Sequence, residues 1–277
     1  MDRFATRARM SVPRALASEA LRLRRSPLAA VHLVCACAAG AAIGAYFAFA
    51  PWDATLGADA YMQMLGAMMP LMVGIVCGLA VDEERRAGRL ANLTGAPSRH
   101  IAILAKAAML WLAGAATLAL ATAIFCAALA LAGRLALGPA HIVLAWGGLC
   151  LGSAPLYLLE LALAIRLSRN AAIAVGSAGL VLAFFSVGGL AHGLMTGELT
   201  GIAGTGVLGA VPFAWPARLG SLGVEAGIAA AARDAALGAQ ICGAASALGC
   251  ASLAVSGAGT AALAIWFNRF EDRSTDV

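Results

Sequence analysis

The chain has 277 residues, of which 62% are apolar and 12% charged, far from the roughly 45–50% apolar and 25% charged of an ordinary soluble domain. No water-soluble fold could hide that much apolar surface, so the composition excludes one. The net charge of +5 does not point to nucleic acid, because the arginines flank apolar runs instead of clustering on a soluble face; they read as topology signals and contacts to anionic lipid.

A bilayer-spanning helix needs about 20 apolar residues in succession, and such stretches recur along almost the whole chain. The reading is an all-α integral membrane protein, one transmembrane domain with spans at 27–50, 61–81, 104–132, 141–165, 171–195 and 238–267. The first run begins near Pro27 after a long basic lead and lacks a convincing small-residue cleavage site, so it reads as a retained span.

Basic residues set the orientation. With the N-terminus inside, seven arginines precede the first span (Arg3, Arg7, Arg9, Arg14, Arg22, Arg24 and Arg25), and five basic residues fall in 82–106 (Arg85, Arg86, Arg89, Arg99 and Lys106). Arg166 and Arg169 occupy the inner turn and Arg269 and Arg273 the end, against only Arg134, Arg218 and Arg233 outside. That bias predicts a multi-pass protein of a bacterial inner membrane with both termini cytoplasmic.

All seven cysteines (35, 37, 77, 126, 150, 242 and 250) lie in apolar runs, where cysteine acts as a small hydrophobe. Cys35 and Cys37 have neither metal-site spacing nor nearby ligand partners, so no metal site is expected. Runs such as Ala38-Ala39-Gly40-Ala41-Ala42 and the pair Gly188-Gly189 allow close helix approach in lipid.

Two connections exceed what a turn requires. The outer one, 196–237, is rich in glycine and carries Pro212-Phe213-Ala214-Trp215-Pro216. It predicts short interfacial or re-entrant helices before the sixth span, with Trp215 and Trp52 in an aromatic belt. The inner one, 82–100, is the most charged part of the chain. It runs Asp82-Glu83-Glu84-Arg85-Arg86-Ala87-Gly88-Arg89-Leu90-Ala91-Asn92-Leu93, then a corner at Gly95 and Pro97. Leu90 and Leu93 would share a helical face; Gly95 can end that short helix and Pro97 can begin the next. Periodicity alone leaves open a plain solvated loop or a short helix able to pass force from a soluble partner into the bundle.

The order Glu84, Gly88, Leu90, Leu93, Pro97, Arg99, Lys106 resembles the loop between the second and third spans of ABC-2 type transporter permeases. The resemblance implies an exporter-type bundle in which 82–100, with Glu83 and the residues just named, carries a coupling helix that docks on a separate ATP-binding subunit. It also implies a second permease subunit, identical or related, with ATP and Mg held by the partner. The early Glu19, Arg22, Arg24, Arg25 and Ser26, with the Pro212-to-Pro216 cluster, look most like lantibiotic-immunity permeases. Those expel antimicrobial peptides from the producer's own membrane.

No Walker A loop is present: the sole lysine, Lys106, stands between Ala105 and Ala107, so nucleotide hydrolysis is expected on another chain. Glu83-Glu84 fails the Glu-Glu-x3-Arg pattern of intramembrane proteases, because Gly88 occupies the arginine position. Ser153 and Ser177 have no nearby histidine motif, and His32, His141 and His192, near span ends, read as structural. Glu160 sits inside the fourth span, where an ionisable group is by default a functional hypothesis; Arg166 and Lys106 are its candidate partners, in an ion pair or a gate. The competing reading, a secondary carrier or membrane scaffold working without an ATPase, would be expected to place several acidic groups at mid-membrane depth, and only Glu160 is expected there.

Overall fold

The computed structural model describes residues 10–186, 190–203 and 206–271, and no strand occurs among them. Arg3, Arg7, Arg9, Arg273, the pair Gly188-Gly189 and the side chain of His192 lie outside the described residues. Six helices are long and apolar enough to cross a membrane: α2 (Pro27–Phe49), α3 (Ala54–Gly88), α5 (Arg99–Leu131), α6 (Pro139–Arg166), α7 (Arg169–Ser186) and α11 (Ala235–Asn268). The shorter helices are α1 (Val12–Arg25), α4 (Ala91–Thr94), α8 (Leu190–Thr196), α9 (Thr200–Ala203) and α10 (Trp215–Ala232).

The helices start where local chemistry dictates. Ser26 caps α2, its hydroxyl accepting from the Leu28 N–H at 3.1 Å, with Pro27 in the first helical position. Asp53 caps α3 through the N–H groups of Thr55 and Leu56 at 2.9 and 3.0 Å; the Thr55 hydroxyl and these amides hold its carboxyl below the usual range. Asp234 caps α11 by accepting from Leu237 at 2.9 Å. At the same end as Asp53, the Arg134 guanidinium donates to the carbonyls of Phe47 at 2.8 Å, Ala50 and Trp52, pinning the α2–α3 turn.

The boundaries add detail to the expectation. The basic lead is helical over 12–25, a surface helix that buries Ala15 and Glu19 and leaves Arg14, Arg24 and Arg25 exposed. The second span, expected over 61–81, continues helically to Gly88, because no helix breaker intervenes and Asp82 pairs with Arg86 one turn on, at 3.4 Å. The fifth, expected over 171–195, is helical over Arg169–Ser186 and again over Leu190–Thr196.

α3 is the central post, packed against α7, α6 and α10. In α10 the chain returns into the bundle. An added Cβ at Gly66 would lie 2.3 Å from the Ala217 backbone, and one at Gly152 would lie 2.6 Å from Pro216 N, so the start of α10 is wedged between α3 and α6 in backbone contact. Gly66 is twelve residues into α3, or roughly 18 Å along its axis. From there α10 climbs to the end where Gly227 meets His141 at the start of α6. Trp215, expected in an interfacial belt, is instead 5% exposed and donates its indole N–H to Ala210 O at 3.1 Å. The physical reason is the two glycines: they open a slot that a proline-tryptophan start can enter.

This seating yields a prediction. Gly66→Val forces the valine methyls into the Ala217 backbone and should lower stability by about 1–3 kcal/mol or more. Gly243→Ala, in the interior of α11 where an added methyl meets nothing within 4 Å, should not lower the detergent melting temperature.

Candidate functional site

The basic end of the bundle is organised by four consecutive residues of α3. Successive helical side chains project about 100° apart, so Asp82, Glu83, Glu84 and Arg85 face four directions, and each finds a different partner. Asp82 accepts from Arg169 of α7 at 2.9 Å. Glu83 accepts from the Ser26 hydroxyl, at the α1–α2 junction, at 2.7 Å. Arg85 donates to Ile165 O near the end of α6 at 2.8 Å.

Glu84 is the hub. One carboxylate oxygen takes Arg22 of α1 at 2.6 Å and Lys106 of α5 at 2.9 Å; the other takes Asn92 of α4 at 3.1 Å. Lys106 also pairs with Glu19 at 2.8 Å, and Arg22 with Glu19 at 3.2 Å. The result is a neutral ring of two carboxylates and two cations, with Glu84 and Lys106 each 5% exposed. Buried charge is tolerated only when paired and hydrogen-bonded, and here both conditions are met.

The connection beyond α3 is tight. Arg89 and Leu90 adopt left-handed backbone, φ 50° and 64°, a conformation costing roughly 1–2 kcal/mol for a residue with a Cβ. Burial of Leu90 and Leu93, 0% and 1% exposed, holds the turn down. Leu90 therefore precedes α4 instead of sharing its face with Leu93, and α4 is a single turn capped by Gly95. Pro97 is exposed and lies before the α5 cap, Ser98, so it does not begin the helix as expected. Arg99 donates to Thr94 O at 2.8 Å and to Phe270 O, just past α11, at 3.0 Å. Gly88 is exposed, and an added Cβ there would meet only the Ala91 Cβ at 3.8 Å. Together with Arg86, Ala91, Asn92, Pro97 and His100, it forms the outward surface of the turn.

The structure thus brings Glu84 and Lys106 together and places Leu90, Leu93 and Arg99 beneath the same turn. The pairing anticipated for Glu160 does not form. Glu160 is 0% exposed and neither carboxylate oxygen has a hydrogen-bond partner. Arg166 is exposed at the end of α6, six residues and hence about 9 Å along the axis, while Lys106 is committed to Glu19 and Glu84. Ser153 and Ser177 donate back to Cys150 O and Ile173 O of their own helices, at 3.0 and 2.7 Å, which leaves neither poised as a nucleophile.

Sequence reasoning missed a second polar cluster at the opposite end. Asp59 and Gln63 of α3 meet Ser221 and Glu225 of α10: Gln63 donates to Asp59 at 2.8 Å and to Ser221 at 3.2 Å, and the Ser221 hydroxyl lies between the two carboxyls. Glu225 accepts from the N–H groups of Gly201 and Ile202 at 2.7 and 3.1 Å. Asp59 and Glu225, 3% and 0% exposed, are thus buried acids near the other end of the bundle. The i, i+4 spacings Asp59–Gln63 and Ser221–Glu225 were the available signal.

A helical bundle with six membrane-length apolar helices and no strand among the described residues defines a multi-pass membrane protein. The model of the ABC-2 family transporter proteins matches residues 15–187, and the chain belongs to that family. It is accordingly a permease subunit of an ABC transporter, a membrane component that is not itself catalytic and whose family associates with an ABC ATP-binding subunit. No curated protein and no solved structure matches the chain.

Two predictions follow from the polar clusters. Glu84→Gln or Lys106→Met alone leaves a buried charge short of its partner and should cost about 3–5 kcal/mol, whereas the double substitution should cost clearly less than the sum in thermal denaturation. Glu225→Ala strips two buried amides of their acceptor, at about 1–3 kcal/mol each, and should expose 196–214 to limited proteolysis before the rest of the chain.

Proposed function

We propose that the chain is the membrane subunit of an exporter of amphipathic substrates, with an antimicrobial peptide of the lantibiotic kind as cargo and self-immunity as the physiological outcome. The termini and the 82–100 turn face the cytoplasm, where a separate ATP-binding subunit docks, and a second permease copy or a related chain completes the path. The distribution of arginines supports the orientation. The likeness of Glu19, Arg22, Arg24, Arg25, Ser26 and the Pro212-to-Pro216 stretch to immunity permeases supports the cargo.

One observation carries the coupling role. The side chains of Asp82 to Arg85 tie α3 to α1, the start of α2, α5, α6 and α7, and Arg99 adds the end of α11. A push on the turn therefore reaches all six spanning helices through charged hydrogen bonds, while its outer surface stays free of side-chain bulk at Gly88. A solvated loop would have no need of such bracing.

Docking and packing are separable at this site. Gly88→Trp adds bulk to the outward surface without disturbing the fold, and should abolish co-purification with the ATP-binding subunit while the melting temperature holds. Substituting the buried Leu93 would test packing and not docking. Retained co-purification with Gly88→Trp would remove the docking assignment. For Glu160, whose carboxyl is buried without a partner, Glu160→Gln should impair peptide export at normal expression; normal export would remove a gating role.

A further inference from the structure

A cavity of about 360 Å³ opens between α2, α3 and α5, away from the turn and from the polar cluster at α10. Its wall is almost wholly apolar, with Met64, Met68, Met69 and Met72 along α3, and no Asp, Glu, Lys or Arg lines it. Methionine walls adapt to irregular apolar shapes, and the volume falls within the range of small-molecule sites.

Of the polar atoms in this wall, the Thr117 hydroxyl donates to Ala113 O at 2.8 Å, and two lack a partner. His32 is 7% exposed; its Nδ1 lies 2.7 Å from Leu28 O, which can only accept. Nδ1 therefore carries a hydrogen, and in the tautomer with that single ring proton Nε2 is a bare acceptor, with no donor beside it. Tyr157 is 2% exposed, and its hydroxyl has no partner either. The tyrosine comes from α6 and reaches the cavity over Gly114: a Cβ at that position would lie 1.9 Å from the hydroxyl oxygen. Gly114 itself lines the cavity. A buried polar atom left unsatisfied costs about 1–3 kcal/mol, and the cavity offers one donor and one acceptor to whatever fills it.

We propose that this cavity binds an uncharged amphiphile whose polar head bears a hydroxyl group, its chain lying along the methionines. A hydroxyl can answer either vacancy, donating to His32 Nε2 or accepting from Tyr157. An anionic or cationic head finds no counter-charge, and a plain hydrocarbon leaves both atoms unpaired. The occupant is distinct from the exported cargo proposed above, and the assignment does not depend on that reading.

The test uses the full chain in nanodiscs and two diazirine probes of equal length, a C14 alcohol and its methyl ether, with crosslinks mapped by mass spectrometry and unlabelled 1-tetradecanol as competitor. The ether accepts but cannot donate to His32. The alcohol should label the Met64–Met72 and Gly114 peptides about tenfold above the ether, the factor of one hydrogen bond of roughly 1.4 kcal/mol. The ratio should fall to near one in His32→Leu, with Tyr157→Phe and Gly114→Ala, which displaces the hydroxyl, weakening alcohol labelling several-fold. Only preparations that keep the wild-type melting temperature are compared, since an unfolded fraction labels equally with both probes and pulls the ratio to one. Equal labelling by both probes in the wild-type chain, or an alcohol preference that survives His32→Leu, would overturn the assignment, leaving a site filled by water or by bulk lipid chains.

Discussion

A carboxylate withdrawn from water must be matched by donors or it will not stay ionised, and the basic end of this bundle is built around meeting that demand at Glu84. The donors come from three different helices and, with Glu19, close into a ring of balanced charge. Positions elsewhere follow from it. α1 must lie against α3 to present Arg22, and α5 must enter at a height that brings Lys106 alongside. The turn between α3 and α5 must then be short, which two left-handed residues and two buried leucines accomplish. Replacing such a ring by apolar residues can be neutral for stability. What the charged version adds is directional bonding that fixes which helices move together.

The other end relies on a different principle. Lipid tails are as apolar as the helix faces, so association there comes from close packing and hydrogen bonds between helices. Glycines at 66 and 152 admit α10 into the bundle, and the Asp59–Gln63–Ser221–Glu225 cluster fastens it to α3. Arg134 fastens the neighbouring turn by satisfying three carbonyls. Both ends of α3 are thus held by charged and polar contacts, and its middle mainly by packing, with one thiol contact from Cys77 to Tyr157 O.

The spanning helices were legible in the sequence because a 20-residue apolar run is a strong signal, and Lys106 and Glu84 were marked out by the loop resemblance. Their mutual pairing was not legible, nor was the role of Glu19 and Arg22: contacts across 22 to 87 residues depend on helix rotation, which an apolar sequence with little periodic contrast does not reveal. Trp215 was misplaced for a related reason. Tryptophan next to proline reads as interfacial, and only the slot formed by glycines on two other helices sends it inward. Asp59 was assigned to a connection because hydropathy ended the span at 61, although the helix runs back to Ala54.

The length of α3 has a geometric consequence. At 1.5 Å per residue, the seven residues from Asp82 to Gly88 carry the helix about 10 Å past Val81, where its continuous apolar run ends. The corner at Arg89 and Leu90 consequently stands off from the apolar slab, like the head of a short stalk.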